Sequence, residues 1–387
     1  MAENKNVVIF GAGQVGRMAL TEYGDRVAYF IDNNPKIWGE EIAGIRILSM
    51  DEFVKLDRKY IVVIASKQQE VMERQLQDNG ILDYIFYNQG QIAYYTTDDL
   101  VFNPYLDNAQ RDVTESEWNE NNRKNLARET VNLRVEQMQG KELLFDHVEI
   151  ETINRCNGNC DFCPVSRKND TREYKKMSQD LFEKIIDELA EINYSGKLAL
   201  FSNNEPFLDE DIIERHRYAR MKVPNARMHL FTNGTLLTLD KFIQIVDLLD
   251  ELIIDNYQQE LRLIKTCEKI VEYCEEHPEL KKKVTIVLRK PHEILTSRGG
   301  DAPNRKDLVS YGDDRCILPY KQMIIRPDGK VSLCCNDPMG KNTLGDVSKE
   351  SLVNVWFNDR FRMVRKCLYE GRKNWKHCEY CDVFSLS

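Results

Sequence analysis

The sequence predicts an α/β protein in three parts: a doubly wound N-terminal sheet, a partial β/α barrel and a small C-terminal domain organised by cysteines. Three observations lead to this prediction. An apolar segment near the N-terminus runs into a glycine-rich turn. From residue 147 onward, strand and helix patterns alternate. Seven of the eleven cysteines fall into two groups, one at the start of the alternating region and one at the end of the chain.

Length and charge limit the classes of protein that fit. A chain of 387 residues can bury more than one hydrophobic core, so we expect two or three domains. The formal net charge of −9 argues against a nucleic-acid-binding surface, which needs clustered Lys and Arg. No apolar stretch is long enough to span a bilayer, and the N-terminus lacks the pattern of a signal peptide. We therefore expect a cytoplasmic protein in a reducing compartment, without a membrane or nucleic-acid partner.

Residues 1–95 are predicted to form a Rossmann-like domain. The apolar strand Asn6–Phe10 is followed by a G-x-G-x-x-G turn, and a helix should begin near Gln14. A second strand covers 26–32, and a third strand, 60–65, is followed by a helix. Strand, glycine turn, helix and a second strand ending in an acid form a doubly wound nucleotide-binding pattern.

The glycine turn defines a predicted ligand site in this domain. Gly11, Gly13 and Gly16 would let the backbone approach a diphosphate at the helix N-terminus, and Asp32 would accept hydrogen bonds from a ribose. The segment around Asp32 resembles the Rossmann-like domain of bacterial sugar acyltransferases, which implies a nucleotide or a nucleotide-sugar as ligand. NAD is an alternative ligand, and a purely structural module is a further alternative.

Residues 96–145 are predicted to be a helical linker. The stretch 115–139 is polar and favours helix, and Gly140 is a suitable stop. It would connect the N-terminal domain to the barrel or brace the barrel.

Residues 146–300 are predicted to form a partial, parallel β/α barrel of the TIM type, because strands alternate with crossover helices. Ser178 is a suitable N-cap for the first helix. The predicted strands lie near 148–153, 197–202, 227–232, 251–255 and 284–289, and the predicted helices cover 178–193, 209–220, 239–249 and 260–275.

The first cysteine group, Cys156, Cys160 and Cys163, has the spacing C-x3-C-x2-C and follows the first barrel strand. Three thiolates leave one iron of a [4Fe–4S] cluster open, and an open iron can bind a small molecule. Disulfides are disfavoured by the close spacing and the missing secretion signal, and structural zinc would need a distant fourth ligand. We therefore predict that these three cysteines bind an iron–sulfur cluster.

This run resembles the signature of the radical S-adenosylmethionine superfamily, and the resemblance extends along the barrel. Phe162 matches the aromatic residue before the last cysteine. The segment Asn203–Pro206 resembles the family's Gly-Gly-Glu-Pro motif, with Asn at both glycine positions. Asn is the next most tolerant residue of positive φ, so we expect the same turn. Thr232–Gly234 resembles the family's Thr-Asn-Gly strand ending. Each motif ends a predicted strand, where barrel chemistry is located.

The resemblance implies that S-adenosyl-L-methionine binds at the first cluster and yields a 5′-deoxyadenosyl radical, with flavodoxin or ferredoxin as a reducing partner. Asn204 and Glu205 would meet the methionine amino group, and Arg289 its carboxylate. Asp255 or Asn256 would contact the ribose, although ordinary surface charge is an alternative for Arg289 and Asp255. The predicted cofactor-binding residues are Phe162, Asn204, Glu205, Asn233, Asp255, Asn256 and Arg289.

Residues 301–387 hold the second cysteine group and a hairpin signal at Asp328-Gly329. They resemble the SPASM and Twitch domains that carry auxiliary clusters in many radical enzymes. The resemblance implies a second [4Fe–4S] cluster, while a zinc ion held by four thiolates is the alternative. Cys335 is ambiguous, because it can replace its neighbour as a ligand or remain a free thiol. The implied ligands are Cys316, Cys334, Cys378 and Cys381.

The expected function is oxidation (dehydrogenation) or epimerisation of a sugar or nucleotide-sugar. An auxiliary cluster that is fully ligated is a natural electron acceptor, which favours dehydrogenation. Epimerisation needs a hydrogen donor, for which Cys335 is the first candidate. Two alternatives remain open: a peptide or protein maturase with a SPASM domain, and a regulator that senses redox state through Fe–S clusters and NAD.

Overall fold

The computed structural model describes residues 7–56, 60–66, 69–81, 84–87, 100–105 and 127–384. The chain divides into two compact units, Met1–Asp98 and Asp99–Ser387. The barrel and the cysteine-containing C-terminal region thus belong to one unit. Within the described ranges, no helix has both the length and the hydropathy of a membrane span.

The N-terminal unit contains a mixed sheet with the order β3-β4-β2-β1-β5-β6. Five of these strands run parallel, and β3 pairs antiparallel with β4 at one edge, so the sheet is not purely parallel as a doubly wound pattern suggests. The strands are β1 (Val7–Phe10), β2 (Val27–Ile31), β3 (Glu41–Ile42), β4 (Ile45–Leu48), β5 (Ile61–Ile64) and β6 (Tyr84–Phe86), and the helices are Gln14–Tyr23, Met50–Phe53 and Gln69–Asp78.

Both faces of this sheet are covered. The four residues of β1 are all buried, and they alternate between two hydrophobic cores. Val7 and Ile9 belong to one core, and Val8 and Phe10 to the other. This two-sided burial explains why β1 is apolar throughout and why its strand pattern could be predicted.

The second unit is built on a sheet with the order β15-β14-β13-β8-β9-β10-β11-β12-β7. Strands β7 to β13 are parallel to their neighbours, and β14 and β15 are antiparallel additions. The strands are β7 (Val101–Phe102), β8 (His147–Ile150), β9 (Lys197–Ala199), β10 (Arg227–Thr232), β11 (Glu251–Tyr257), β12 (Val284–Arg289), β13 (Gln322–Ile325), β14 (Lys330–Ser332) and β15 (Thr343–Asp346).

The crossover helices follow the predicted order. Ser178 caps the first of them, because its side chain accepts a hydrogen bond from the Leu181 amide. Residues 127–138 are helical and place Val131 and Val135 in the main core. The other helices of this unit are Gln179–Glu191, Ile212–Lys222, Leu239–Ile245, Lys265–Glu276, Leu318–Lys321, Leu352–Trp356 and Asp359–Glu370.

Two strands of the parallel sheet come from outside the stretch predicted as a barrel. β7 lies in the predicted linker and pairs with β12, and β13 pairs with β8. The hairpin predicted around Gly329 forms between β13 and β14, and Gly329 has a φ of +79°. Both additions cover an edge of the five-stranded barrel, which would otherwise present unpaired backbone groups.

Strand β8 shows how the barrel separates polar and apolar side chains. Val148 and Ile150 lie in the hydrophobic core. His147 and Glu149 alternate with them and are also buried, and their side chains meet one another and Gln322 of β13. Since successive side chains of a strand point to opposite faces, the second face of β8 carries the polar residues of the barrel.

We predict that Gly16→Ala destabilises the N-terminal unit and that Gly13→Ala does not. A Cβ atom at Gly16 would lie 1.8 Å from the carbonyl oxygen of Gly11, whereas nothing lies within 4 Å of a Cβ at Gly13. Overpacking of this kind costs about 1–3 kcal/mol of unfolding free energy. Urea unfolding monitored by circular dichroism measures both variants, and equal stability of the two would contradict the close helix–turn packing.

Candidate functional site

The first cysteine group lies on a loop that follows β8 and is held by backbone hydrogen bonds. The amide of Arg167 donates to the carbonyl of Gly158 at 2.8 Å, and the amide of Asp161 donates to the carbonyl of Pro291 at 2.9 Å. A Cβ atom on Gly158 would lie 3.4 Å from Sγ of Cys156 and 3.8 Å from Sγ of Cys160. These two thiols therefore lie on the same side of the loop.

The donor set of this loop suits an iron–sulfur cluster. Burial raises the pKa of the Cys156 and Cys160 thiols to about 12. Binding to metal is the usual way to keep such buried sulfurs as thiolates. In the described part of the chain, no three His, Cys, Asp or Glu side chains converge as the ligands of a single ion would. Three thiolates leave the fourth position of a zinc site unfilled, whereas a [4Fe–4S] cluster takes one thiolate per iron and keeps one iron open, so the donor set suits a cluster.

Glu205 joins the ends of two barrel strands. Its buried carboxylate accepts hydrogen bonds from the Thr232 hydroxyl at 2.7 Å and from the Asn233 amide at 2.8 Å. Burial raises its pKa, while these hydrogen bonds oppose the rise. Nδ2 of Asn233 donates to Oδ1 of Asn157 at 2.8 Å, which connects the Thr-Asn-Gly turn to the cysteine loop. Glu205 thereby orients the turn beside the cysteines, and its contact with an amino group stays a prediction.

The two asparagines before Glu205 do not have the positive φ that we expected of them. Their side chains bond to neighbouring groups instead. Nδ2 of Asn203 donates to the carbonyl of Cys335 at 3.2 Å, and its Oδ1 accepts from Arg298. Oδ1 of Asn204 accepts from the Ser202 amide at 2.9 Å. Nδ2 of Asn204 is buried without a hydrogen-bond partner among the described residues, so it remains available to a ligand.

The two ribose candidates on β11 differ in their surroundings. Both polar atoms of the Asn256 side chain are engaged by the following loop, through the carbonyl of Arg262 at 2.8 Å and the amide of Ile264 at 2.9 Å. Burial raises the pKa of Asp255 to about 6. Its Oδ1 is buried and has no hydrogen-bond partner within the described ranges. The structure therefore favours Asp255, near Cys160, over Asn256 as a cofactor contact.

The remaining predicted contacts lie at neighbouring strand ends. Arg289 ends β12 and forms an ion pair with Glu293 at 3.0 Å. The ring of Phe162 packs against Tyr257 at the end of β11, with 5.9 Å between centroids. Tyr257 was not predicted from the sequence, and its place at a strand end beside the cysteine loop is the signal that identifies it.

The second cysteine group is buried around Arg372. Burial raises the pKa of Cys334, Cys378 and Cys381, and each thiol lies close enough to others of the group to raise it further. The buried guanidinium of Arg372 donates to the carbonyl of Cys381 at 2.5 Å and to that of Val383 at 2.7 Å. A fixed cation beside several thiolates offsets their negative charge.

Cys335 faces a different environment from Cys334. The charged groups that most affect its thiol are Glu149 and Arg298, whereas those that most affect Cys334 are the other cysteines. Burial raises the pKa of Cys335 to about 12. Cys334 thus lies among the thiols of the second group and Cys335 lies toward the polar face of the barrel, and which of them is the ligand stays a prediction.

A partly buried polar network on this face was not predicted from the sequence. Nε2 of Gln322 donates to Oε1 of Glu149 at 3.0 Å, and Oε1 of Gln322 accepts from the Cys335 amide at 3.2 Å. Arg298 has a φ of +52°, a conformation that costs energy for a residue with a Cβ and is frequent at functional sites. We call this set the interior network: Glu149, Ser202, Asn203, Arg298, Gln322 and Cys335.

The predicted nucleotide site of the N-terminal unit shows a competing set of contacts. Oδ2 of Asp32 accepts a hydrogen bond from the Ala12 amide at 2.7 Å, and Oδ1 accepts one from the Asn34 amide at 2.8 Å. Gly11 has a φ of +112°. Both carboxylate oxygens of Asp32 thus accept hydrogen bonds from the backbone near the glycine turn, and these are the oxygens that would accept hydrogen bonds from a ribose. Nucleotide binding at this turn stays a prediction.

Three stretches of the chain match three different protein-family models. Residues 150–261 match the model of the radical SAM superfamily, and residues 316–382 match the iron–sulfur cluster-binding domain named SPASM. Residues 3–86 match a model described as C2185-like, N-terminal. The first match spans the first cysteine group and the second spans the other four predicted ligands.

The chain is also similar to a characterised enzyme. Over 247 residues it is 24% identical to the S-adenosyl-L-methionine-dependent 2-deoxy-scyllo-inosamine dehydrogenase of Niallia circulans. The aligned stretch covers 63% of this chain and 95% of that protein. The crystal structure of BtrN in complex with AdoMet and 2-DOIA matches with a TM-score of 0.55 at 24% identity, over 63% of this chain and 95% of that one, and it shows a common fold. The chain is therefore a radical SAM enzyme with a C-terminal SPASM domain, and its cofactors are [4Fe–4S] clusters and S-adenosyl-L-methionine.

Proposed function

We propose that this enzyme dehydrogenates a secondary alcohol of a small cyclic polyol, either a sugar or a cyclitol. The observation that supports this proposal most is the position of the interior network. It is linked to the first cysteine group through Asn203–Glu205 and to the second through Cys335. A substrate bound there would lie between the site of radical formation and an electron acceptor. The similarity to 2-deoxy-scyllo-inosamine dehydrogenase supports the same substrate class.

We assign the cofactor contacts as follows. When bound, S-adenosyl-L-methionine supplies a 5′-deoxyadenosyl radical that can remove a hydrogen atom from an unactivated carbon. Nδ2 of Asn204 and Oδ1 of Asp255 are buried polar atoms that a ligand can engage. We propose Cys156, Cys160 and Cys163 as ligands of the first cluster and Cys316, Cys334, Cys378 and Cys381 as ligands of the second.

The surroundings of the second cluster favour dehydrogenation over epimerisation. Arg372 offsets negative charge beside Cys378 and Cys381, two of the proposed ligands, which makes a reduced cluster easier to accommodate. Epimerisation is the second candidate because Cys335, a member of the interior network, carries a thiol that can donate a hydrogen atom. We also propose that an electron carrier such as flavodoxin or ferredoxin reduces the first cluster.

The domain boundaries follow from the same assignment. We propose a Rossmann-like unit at 1–95, a connecting segment at 96–145, a radical SAM barrel at 146–300 and an auxiliary-cluster domain at 301–387. The connecting segment supplies β7 and the final domain supplies β13, so both complete the sheet of the barrel.

The three loop cysteines can be tested by metal content. Replacing Cys156, Cys160 and Cys163 together with Ala should remove about four irons per chain, because a cubane that loses its three thiolates is released. Anaerobic reconstitution and iron analysis measure the loss. The same variant should form no 5′-deoxyadenosine, and continued cleavage of S-adenosyl-L-methionine would refute the assignment.

The adjacent cysteines Cys334 and Cys335 form a matched pair. Wild-type protein should hold about eight irons, Cys334→Ala should fall to about four, and Cys335→Ala should keep about eight. The difference is expected because Cys334 lies with the other thiols and Cys335 lies toward Glu149. Iron analysis and electron paramagnetic resonance distinguish the two, and a wild-type content of about four irons with one zinc would exclude the electron acceptor.

The proposed reaction can be tested with the reconstituted enzyme. 2-Deoxy-scyllo-inosamine, related cyclitols, free sugars and nucleotide-sugars should be supplied with S-adenosyl-L-methionine and dithionite. We expect one class to give a ketone in an amount equal to the 5′-deoxyadenosine formed, as mass spectrometry would show. An inverted stereocentre with retained mass would favour epimerisation, and crosslinked peptide products from added peptides would favour a maturase.

A further inference from the structure

We propose that Glu149 is a catalytic residue that accepts the proton lost by the substrate hydroxyl during dehydrogenation. This inference rests on the proposed function and adds to it the group that removes the proton. Glu149 lies on β8, is 6% exposed and belongs to the interior network.

The comparison with Glu151 singles out Glu149. Both carboxylates are buried and lie two residues apart on the same segment. Glu151 is neutralised by a direct ion pair with Arg172 at 3.0 Å. Glu149 has only His147 at 3.5 Å as an ionisable partner within the described ranges, and burial lowers the pKa of His147 well below its usual value. Among the described residues, Glu149 is therefore a buried carboxylate that no Lys or Arg contacts in a direct ion pair, and it can take up a proton.

The neighbours of Glu149 suit an alcohol as its ligand. Ser202 and Gln322 contribute neutral hydrogen-bonding groups, and Arg298 is the nearest strongly acting cation. The guanidinium of Arg298 bonds Asn203, whose Nδ2 donates to Oγ of Ser202 at 3.2 Å. A substrate hydroxyl can accept a hydrogen bond from one side of this network and donate one to Glu149. An ammonium group is less suited, because Arg298 would repel it.

The chemical balance requires such an acceptor. Oxidation of a secondary alcohol to a ketone breaks one C–H bond and one O–H bond. S-adenosyl-L-methionine, when bound, would supply the radical that takes up the hydrogen atom of the C–H bond, and an oxidised cluster held by Cys316, Cys334, Cys378 and Cys381 would take up one electron. The proton of the O–H bond remains, and Glu149 receives it as the C=O bond forms.

The acidity of Glu149 is consistent with this role. Burial raises its pKa to about 7, and a general base is most effective when its pKa lies near the working pH. Proton acceptance requires the deprotonated form, so coupling of radical formation to ketone formation should rise as pH increases through about 7. The ionisable groups that face Glu149 are His147, Glu151, Lys197, Arg298 and Cys335.

The test compares Glu149→Gln with Glu251→Gln. Glu251 is a matched control, because burial also raises its pKa to about 7, but it lies on β11, outside the interior network, and the charged groups that act on it are Lys197 and Arg227. For Glu149→Gln we expect unchanged iron content, unchanged calorimetric affinity for the substrate found above and continued formation of 5′-deoxyadenosine. Ketone formed per 5′-deoxyadenosine should fall by about 10²-fold or more. Glu251→Gln should match the wild type.

The outcomes separate this inference from the proposed function. If wild-type enzyme oxidises no probe, the proposed function fails. If wild type gives a ketone and Glu149→Gln gives it with equal coupling, only the role of Glu149 fails. A weakened substrate affinity with full coupling would reduce Glu149 to a binding residue and overturn the proposal. If the variant loses its clusters, the pH dependence of the wild-type enzyme provides the test. A ratio of ketone to 5′-deoxyadenosine that does not change between about pH 6 and pH 8.5 contradicts a base with this pKa.

Discussion

The buried guanidinium of Arg172 holds the site together. It pairs with Glu151 after β8 and with Asp170 after the cysteine loop, each at 3.0 Å. It also donates to the carbonyl of Asn203 at 3.0 Å and to that of Pro338 at 3.2 Å. One planar cation thus joins the first barrel strand, the cysteine loop, the second strand end and the auxiliary-cluster region, and Lys could not replace its fixed fork of donors. Breaking a buried pair of this kind costs about 3–5 kcal/mol, because the partner charge is left uncompensated.

Much of the barrel could be predicted from sequence because its strands and helices have strong periodicity. The strand at 227–232 and the strand at 284–289 were confirmed with the predicted bounds, since both are apolar segments enclosed by helices. β7 and β13 were missed as barrel strands because a short apolar segment does not indicate which edge it will pair with. Pairing between distant segments depends on the shape of the whole sheet, which local sequence patterns do not encode.

The candidate site also has parts that the sequence predicted and parts that it did not. The first cysteine group could be identified by its spacing, and the strand-end motifs by their resemblance to those of the radical SAM superfamily. The positive φ expected at Asn203 and Asn204 was wrong. The side chain of Asn204 closes the turn on the Ser202 amide, and the side chain of Asn203 bonds to the carbonyl of Cys335. Arg298 and Glu149 were not predicted as site residues, because only the residues around them in the fold indicate such a role. Polar and apolar residues alternate along β8 in the sequence. The sequence does not show that the polar side chains of β8 meet Gln322 of β13, which is the contact that forms the network.

The pairing of β8 with β13 limits which parts of the chain can be removed without loss of the fold. A domain that is merely attached to a barrel can be gained, lost or exchanged with little effect on the rest of the protein. Here the chain segment between Cys316 and Cys334 also supplies the strand that covers the open edge of the barrel. Removing the auxiliary-cluster region would expose an edge strand that promotes aggregation. The two metal-binding regions are therefore parts of one continuous sheet, and the barrel would lose its edge strand if the second region were removed.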